Sequence, residues 1–221
     1  GLQSGQIAPQ KMRNAIWAGS IMALLLTLLL LYVAFQNDIK SAAFFLALGG
    51  MAILAAIFYT VGSKAYGYKG FGDVFVFVFF GWVSVIGSHY LFTKSFETIL
   101  FLPASAVGLL SVAVLNLNNM RDVENDQNFG KNTLAVRLGI RNANTYHTLL
   151  IFLPLIATLL YAFLSGKVYV YFVVLFLSFP LLAHLKRVWT RNSEKDLDPE
   201  LKKVALITFF YACFFGLTTN L

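Results

Sequence analysis

Apolar residues along this chain do not recur with the three-to-four-residue period of a half-buried helix or the two-residue period of a half-buried strand. They run on with few interruptions between short polar breaks. Seven such runs stand out, at 14–35, 41–61, 74–92, 98–117, 145–164, 168–186 and 204–221. About 20 residues at a rise of about 1.5 Å each cross a hydrocarbon core of roughly 30 Å, so each run predicts a transmembrane helix. The third opens Val74-Phe75-Val76-Phe77-Val78-Phe79-Phe80, all good strand formers. A barrel strand alternates apolar with polar and ends after about ten residues, and this run does neither, so it too reads as helix. Pro9 falls at a first-turn position after Ala8, Asp73 is placed to cap the third helix, and Pro103, Pro154 and Pro180 lie inside spans, where membrane helices tolerate them as packing features.

Composition narrows the class. Apolar residues make up 58% of the 221 positions, charged residues only 12%, and the mean hydropathy is +0.72. A soluble domain carries about 25% charged residues, and a chain this apolar is not disordered, so the expectation is an all-α membrane protein, a single transmembrane domain over 1–221. The net charge of +7 does not point to nucleic acid once its 17 cations are located. Fourteen lie before the first span or between spans two and three, four and five, and six and seven; the other breaks hold only Lys40, Lys94 and Lys167, which read as interface anchors. That asymmetry places the four basic segments in the cytoplasm. These are also the longer, more polar segments, so an active site is expected to face the cytoplasm. Cys213 sits in an apolar run and reads as a buried, inert thiol, while His89, His147 and His184 share no metal-ligand spacing and read as structural. The opening Gly1-Leu2-Gln3-Ser4-Gly5, without an initiator Met, reads as part of a longer chain.

The candidate chemistry begins where the fourth span ends: Asn116-Leu117-Asn118-Asn119-Met120-Arg121-Asp122-Val123-Glu124-Asn125-Asp126. If the helix continues, Asn118, Asp122 and Asp126 share one face, with Asn119 adjacent and Glu124 pointing away. Carboxylates one turn apart repel each other, and a hard cation such as Mg²⁺, held by one or two carboxylates together with substrate phosphates, is an economical remedy. The plainer alternative is a solvated polar boundary in which Arg121 pairs Asp122 or Asn125. Downstream, in Gly130-Lys131-Asn132-Thr133-Leu134-Ala135-Val136-Arg137-Leu138-Gly139, Gly130 permits a tight turn, Thr133 can cap a short helix and Gly139 can end it. Lys131 and Arg137 then bring two cations beside the carboxylates, which suits a diphosphate bridged to Mg²⁺. The break between spans two and three, with Tyr59, Lys64, Tyr66, Tyr68, Lys69 and four glycines, is expected to form a second wall, with Lys64 reaching the diphosphate and tyrosine rings facing a cation.

The run Asn118 to Asp126 followed by Gly130 to Gly139 resembles the second aspartate-rich motif of the UbiA superfamily of intramembrane prenyltransferases, and more closely its branch that prenylates 1,4-dihydroxy-2-naphthoate in menaquinone synthesis. Leu2-Gln3-Ser4-Gly5, the loop from Tyr66 to Asp73 and Leu102-Pro103-Ala104-Ser105 add to the likeness, which extends over essentially the whole chain. The resemblance implies nine transmembrane helices around a central cavity and a first aspartate-rich motif at the end of the second helix. With seven spans here, two helices and that motif are expected to lie outside this sequence. It further implies Mg²⁺ on Asp122 and Asp126, a polyprenyl diphosphate donor and an aromatic acceptor, with Asn118, Asn119, Arg121, Tyr59, Lys64, Tyr66 and Tyr68 binding substrate. Lys131 and Arg137 neutralise the departing diphosphate, and the implied setting is a bacterial inner membrane. Competing expectations are the same reaction on 4-hydroxybenzoate, homogentisate or haem, and, more remotely, a transporter, which would place ionisable residues in mid-span.

Overall fold

A computed structural model describes residues 8–60 and 65–219. Lys64, the Leu2 to Gly5 segment and the ends of the second and seventh predicted spans lie outside these. All seven expected spans are helices long and apolar enough to cross a membrane. The chain divides into two compact units, 1–65 and 66–221.

In the first unit, α1 (Pro9–Phe35) and α2 (Ile39–Thr60) form a helical hairpin. Pro9 occupies the first turn of α1, where its missing N–H has no intrahelical partner to lose. The reversal is short: Gln36 takes a positive φ of 46°, and Asp38 Oδ1 accepts the Ser41 amide at 3.1 Å, closing the first turn of α2.

In the second unit, α3 (Gly72–Val76), a π-helical stretch (Phe77–Val83) and α4 (Ser84–Thr93) make one continuous span. It is followed by α5 (Phe101–Arg121), the short α6 (Val123–Asn128), α7 (Leu134–Ser165), α8 (Val170–Thr190) and α9 (Asp198–Thr219). The central helix is α5, which packs against α7, α9 and the π-helical stretch. Its small residues Ala104, Ala106 and Ala113 are fully buried, which lets neighbouring backbones approach closely, as membrane helices require when no water drives them together. Hydroxyls within the spans bond the carbonyl one turn back, as Ser111 does to Val107, Ser178 to Val174 and Thr208 to Val204, so few polar groups meet lipid unsatisfied. Phe92, Phe163 and Phe179 point outward at 89%, 74% and 81% exposure, the mark of a lipid-facing surface rather than a wet one.

Three expectations change. The helix of span seven begins earlier than its apolar run, at Asp198 rather than at residue 204, after a Ser193–Asp196 capping box, whereas span five is preceded, as the sequence suggests, by a short helix that Thr133 caps and Gly139 interrupts. Hydropathy finds the buried length of a helix, whereas caps set its true start. Cys213 is exposed on α9, on an apolar face, and not buried. Asp73 is not a cap; it lies within the first turn of α3 and accepts a 2.9 Å hydrogen bond from the Tyr146 hydroxyl of α7.

Candidate active site

The polar end of α5 holds its helical register almost unbroken into α6. Asp122 leaves helical geometry at φ −97°, ψ 10°, yet its amide still bonds Asn118 O at 3.1 Å and its carbonyl accepts the Asp126 amide at 2.8 Å. Asn118, Asp122 and Asp126 therefore follow one another turn by turn, as the spacing predicts, while Glu124 is exposed and Asn119 is buried at 8% exposure.

Repulsion between the two carboxylates is relieved by the protein's own cations. Arg121 donates to both oxygens of Asp122 at 2.8 Å, to Asn118 Oδ1 at 2.8 Å and to Asp198 Oδ1 at the start of α9 at 2.6 Å. The Arg121–Asp122 pairing expected of a plain polar boundary is thus present. The guanidinium holds the Asp122 carboxyl below the usual carboxylate range. Lys131 Nζ stands 3.1 Å from Asp126 Oδ1. That oxygen is buried and makes no hydrogen bond beyond this ion pair among the described residues.

The next segment folds as its residues dictate. Gly130, at φ 68°, turns the chain after α6, and the Lys131 amide bonds Asp126 O at 2.8 Å. Thr133 Oγ1 caps the first turn of α7 through the Val136 amide. Gly139, at φ 73° and ψ 159°, interrupts the helix there; a residue with a Cβ is strained in this conformation, so the short basic turn is set off from the span that follows.

The tyrosine-glycine segment packs beside Lys131 and Asn132. Tyr66–Lys69 is a 3₁₀ turn whose Tyr68 carbonyl accepts the Asn132 amide at 2.9 Å, and the Lys131 ammonium sits 5.3 Å from the centre of the Tyr68 ring. Tyr66 instead stacks on Phe75, with ring centres 3.9 Å apart. Arg137 is brought to this loop rather than to the carboxylates, donating to Lys69 O at 2.7 Å. A Cβ on Gly70 would stand 3.1 Å from Asn132 O, so glycine there permits the close seating. Lys64 lies outside the described residues, and Tyr59 is half-buried near the end of α2 in the first unit.

Beside this cluster opens an apolar cavity of about 520 Å³ between the third span, α5 and α9. Val76, Phe80, Val114 and Leu115 line it, and Asn118 supplies its polar edge. Asn118, which lines the cavity with Ser111 and Thr208, is bonded to Arg121, which in turn grips Asp122.

Sequence reasoning missed several partners. Asp198 is one, and the acidic first turn of α9 was its only signal. A larger omission joins α5, α7, α8 and α9 at the same boundary. His147 Nε2 and His184 Nε2 are 2.8 Å apart, His184 Nδ1 is 2.7 Å from Glu200 Oε2, and Asn116 Nδ2 is 3.4 Å from His147 Nδ1. One directional arrangement satisfies the chain: Asn116 donates to His147, His147 to His184, and His184 to the Glu200 carboxylate, each imidazole carrying a single proton. Both histidines are fully buried, and they meet as a pair. Their positions at adjoining helix ends on one membrane face were the available clue.

The pair of carboxylates is an oxygen-only donor set whose buried Asp126 Oδ1 is met by the Lys131 ammonium at 3.1 Å, and such a set suits a hard cation shared with a phosphate. Among the described residues no group of three or more His, Cys, Asp or Glu is arranged to hold a metal by itself.

Comparison with known proteins agrees with the geometry. A curated relative from Escherichia coli (strain K12), a 1,4-dihydroxy-2-naphthoate octaprenyltransferase, is 47% identical over 165 residues, 75% of this chain and 53% of its own length. The enzyme of the same name from Haemophilus influenzae is 38% identical over 98% of this chain and 70% of its own. More distant is the UbiA prenyltransferase domain-containing protein 1 of Gallus gallus, 29% identical over 72% of this chain and 47% of its own. The matched region thus spans about half the length of the Escherichia coli relative. No solved structure matches the chain. The UbiA prenyltransferase family model matches residues 2–214, nearly the whole sequence, and the chain belongs to that family.

Proposed function

We propose that this protein transfers a polyprenyl group from a polyprenyl diphosphate to 1,4-dihydroxy-2-naphthoate, with loss of the acceptor carboxylate, on the cytoplasmic side of a bacterial inner membrane. The observation that carries the reading is the Asn118–Asp122–Asp126 face, ringed by cations and opening through Asn118 on an apolar cavity. The names and identities of the two bacterial relatives support the choice of acceptor. The concentration of basic residues around this boundary supports its sidedness.

Asp122 and Asp126, with Asn118 beside them, are the residues that would hold Mg²⁺, which when bound offsets the charge of the diphosphate. Arg121 and Lys131 already stand on these carboxylates and are placed to turn toward the leaving diphosphate, with Arg137 as a further cation on the neighbouring basic turn. Tyr68 holds the Lys131 ammonium over its ring. Departure of diphosphate takes the bonding electron pair and leaves an allylic cation. Val76, Phe80 and Val114 keep water from trapping it, and the electron-rich naphthoate ring attacks. The ring carbon that gains the prenyl group releases its carboxylate as CO₂, giving demethylmenaquinone in its quinol form.

The test is prenyl transfer by the detergent-extracted protein with a polyprenyl diphosphate, with and without Mg²⁺, on 1,4-dihydroxy-2-naphthoate and on 4-hydroxybenzoate. Mg²⁺-dependent product from the naphthoate alone is expected. Product from 4-hydroxybenzoate alone would overturn the acceptor, and equal turnover without Mg²⁺ would overturn the metal.

A further inference from the structure

A groove of about 370 Å³ runs between α8 and α9, on the surface of the second unit. Phe176, Pro180, Leu206 and Phe210 line its length, and Arg187 and Lys203 close its end. Both cations lie within about two turns of the boundary that also carries Asp122, Arg187 near the end of α8 and Lys203 near the start of α9. Phe176, Leu206 and Phe210 are 62%, 48% and 47% exposed within membrane-spanning helices, so the groove opens sideways toward lipid.

The two cations are held in place from behind. Glu200, with its side chain only 4% exposed, presents Oε1 at 2.6 Å to both Arg187 Nε and Lys203 Nζ, while its Oε2 is fixed at 2.7 Å by His184 of the buried histidine pair. Arg187 and Lys203 remain 46% and 47% exposed, and two cations against one carboxylate leave a net positive charge at the mouth. The terminal amino groups of Arg187 have no hydrogen-bond partner among the described residues. The sequence neighbours Lys186 and Lys202 add to the positive field. An apolar channel in a membrane span, ending at a fixed pair of cations at the headgroup level, is complementary to a molecule with a hydrocarbon chain and an anionic phosphate.

We propose that this groove binds an anionic phospholipid, its phosphate against Arg187 and Lys203 and one acyl chain along Phe176, Pro180, Leu206 and Phe210. A zwitterionic lipid fills the channel equally well but cancels part of the attraction with its own cation. The site is built on α8 and α9 and is independent of the acceptor and of the reaction, so it stands or falls separately from the proposed activity.

The experiment is native mass spectrometry of the detergent-extracted protein titrated with phosphatidylglycerol or with phosphatidylcholine of the same chain length. The unaltered protein should retain phosphatidylglycerol preferentially, and the Arg187→Gln/Lys203→Gln double variant should lose roughly twenty-five-fold in affinity for it, at about a fivefold effect per cation. Leu206→Trp, which fills the channel and touches neither cation, should weaken both lipids and serves where the double variant fails to fold. Equal retention of the two lipids by the unaltered protein would overturn the proposal, as would unchanged phosphatidylglycerol binding in Leu206→Trp. A competition arm with a polyprenyl diphosphate separates the sources of phosphate. Displacement of phosphatidylglycerol only at large excess is expected, whereas stoichiometric displacement would make the prenyl donor the occupant and refute the phospholipid.

Discussion

Two clusters of charge lie at the same membrane boundary and are built in opposite ways. Around Asp122 and Asp126 each carboxylate is met by one cation, Arg121 on Asp122 and Lys131 on Oδ1 of Asp126, with Asp122 partly exposed and Asp126 buried. Around Glu200 both oxygens are filled, by Arg187 and Lys203 on one and by His184 on the other, and the network continues inward through His147 to Asn116. The first arrangement can exchange partners when a multivalent anion and a metal arrive. The second fills both oxygens of its carboxylate and ties four helices together, although Asn116 Oδ1 at its inner end has no hydrogen-bond partner among the described residues. Acids at a membrane boundary are therefore informative less by their presence than by whether their oxygens are already used.

The sharpest way to break this contrast is to remove one acid from each cluster. Asp122→Ala should lower prenyl transfer by about a thousandfold or more, as expected when a group that positions a metal and a diphosphate is lost, while thermal unfolding in detergent changes little. Activity close to that of the unaltered protein would return Asp122 to a boundary salt bridge. Glu200→Ala should do the reverse. Leaving His184, Arg187 and Lys203 without their shared acceptor should destabilise the protein by about 3 kcal/mol, read as a lower unfolding temperature, with turnover per folded molecule preserved. A stable Glu200→Ala protein without activity would invert the comparison.

A smaller effect is expected at Lys131. Its ammonium lies between Asp126 and the Tyr68 ring, so Lys131→Ala should raise the KM for the diphosphate donor about tenfold and leave the KM for the acceptor unchanged. Equal changes in both would point to a general loosening of the loop. The smallest effect concerns pH. Because Arg121 holds the Asp122 carboxyl below its ordinary range, the pair stabilises the folded state fully above the unfolded pKa of about 3.9 and loses that contribution only as pH falls further. Unfolding temperatures of the unaltered protein and of Arg121→Gln should therefore differ by a constant amount from pH 5 to 8 and converge below about pH 4. A difference that shrinks near neutrality would contradict the pairing.

What the sequence made legible follows from how local each feature is. The spans were readable because a bilayer imposes length and apolarity on every helix separately, and the Asn118–Asp122–Asp126 face because it is set by one helical register. Thr133, Gly130 and Gly139 act within a few residues of themselves and do what their types suggest. The features that escaped are pairings between distant helices: Asp73 with Tyr146, Arg121 with Asp198, and His147 with His184 and Glu200. Arg137 shows the boundary between the two kinds. Its place on a short helix was readable, but its partner, the carbonyl of Lys69, depends on how a separate loop docks. The early start of α9 escaped for a different reason, since its first turn is polar and lies beyond the hydrocarbon.

The central claim is that the Asp122–Asp126 face receives the diphosphate of the prenyl donor. It is tested most directly by calorimetric titration of a polyprenyl diphosphate into the detergent-extracted protein, with and without Mg²⁺, for the unaltered chain and for Asp122→Asn and Asp126→Asn. The account predicts tight binding that needs Mg²⁺ and is lost or greatly weakened in either variant. Undiminished binding in both variants would contradict it.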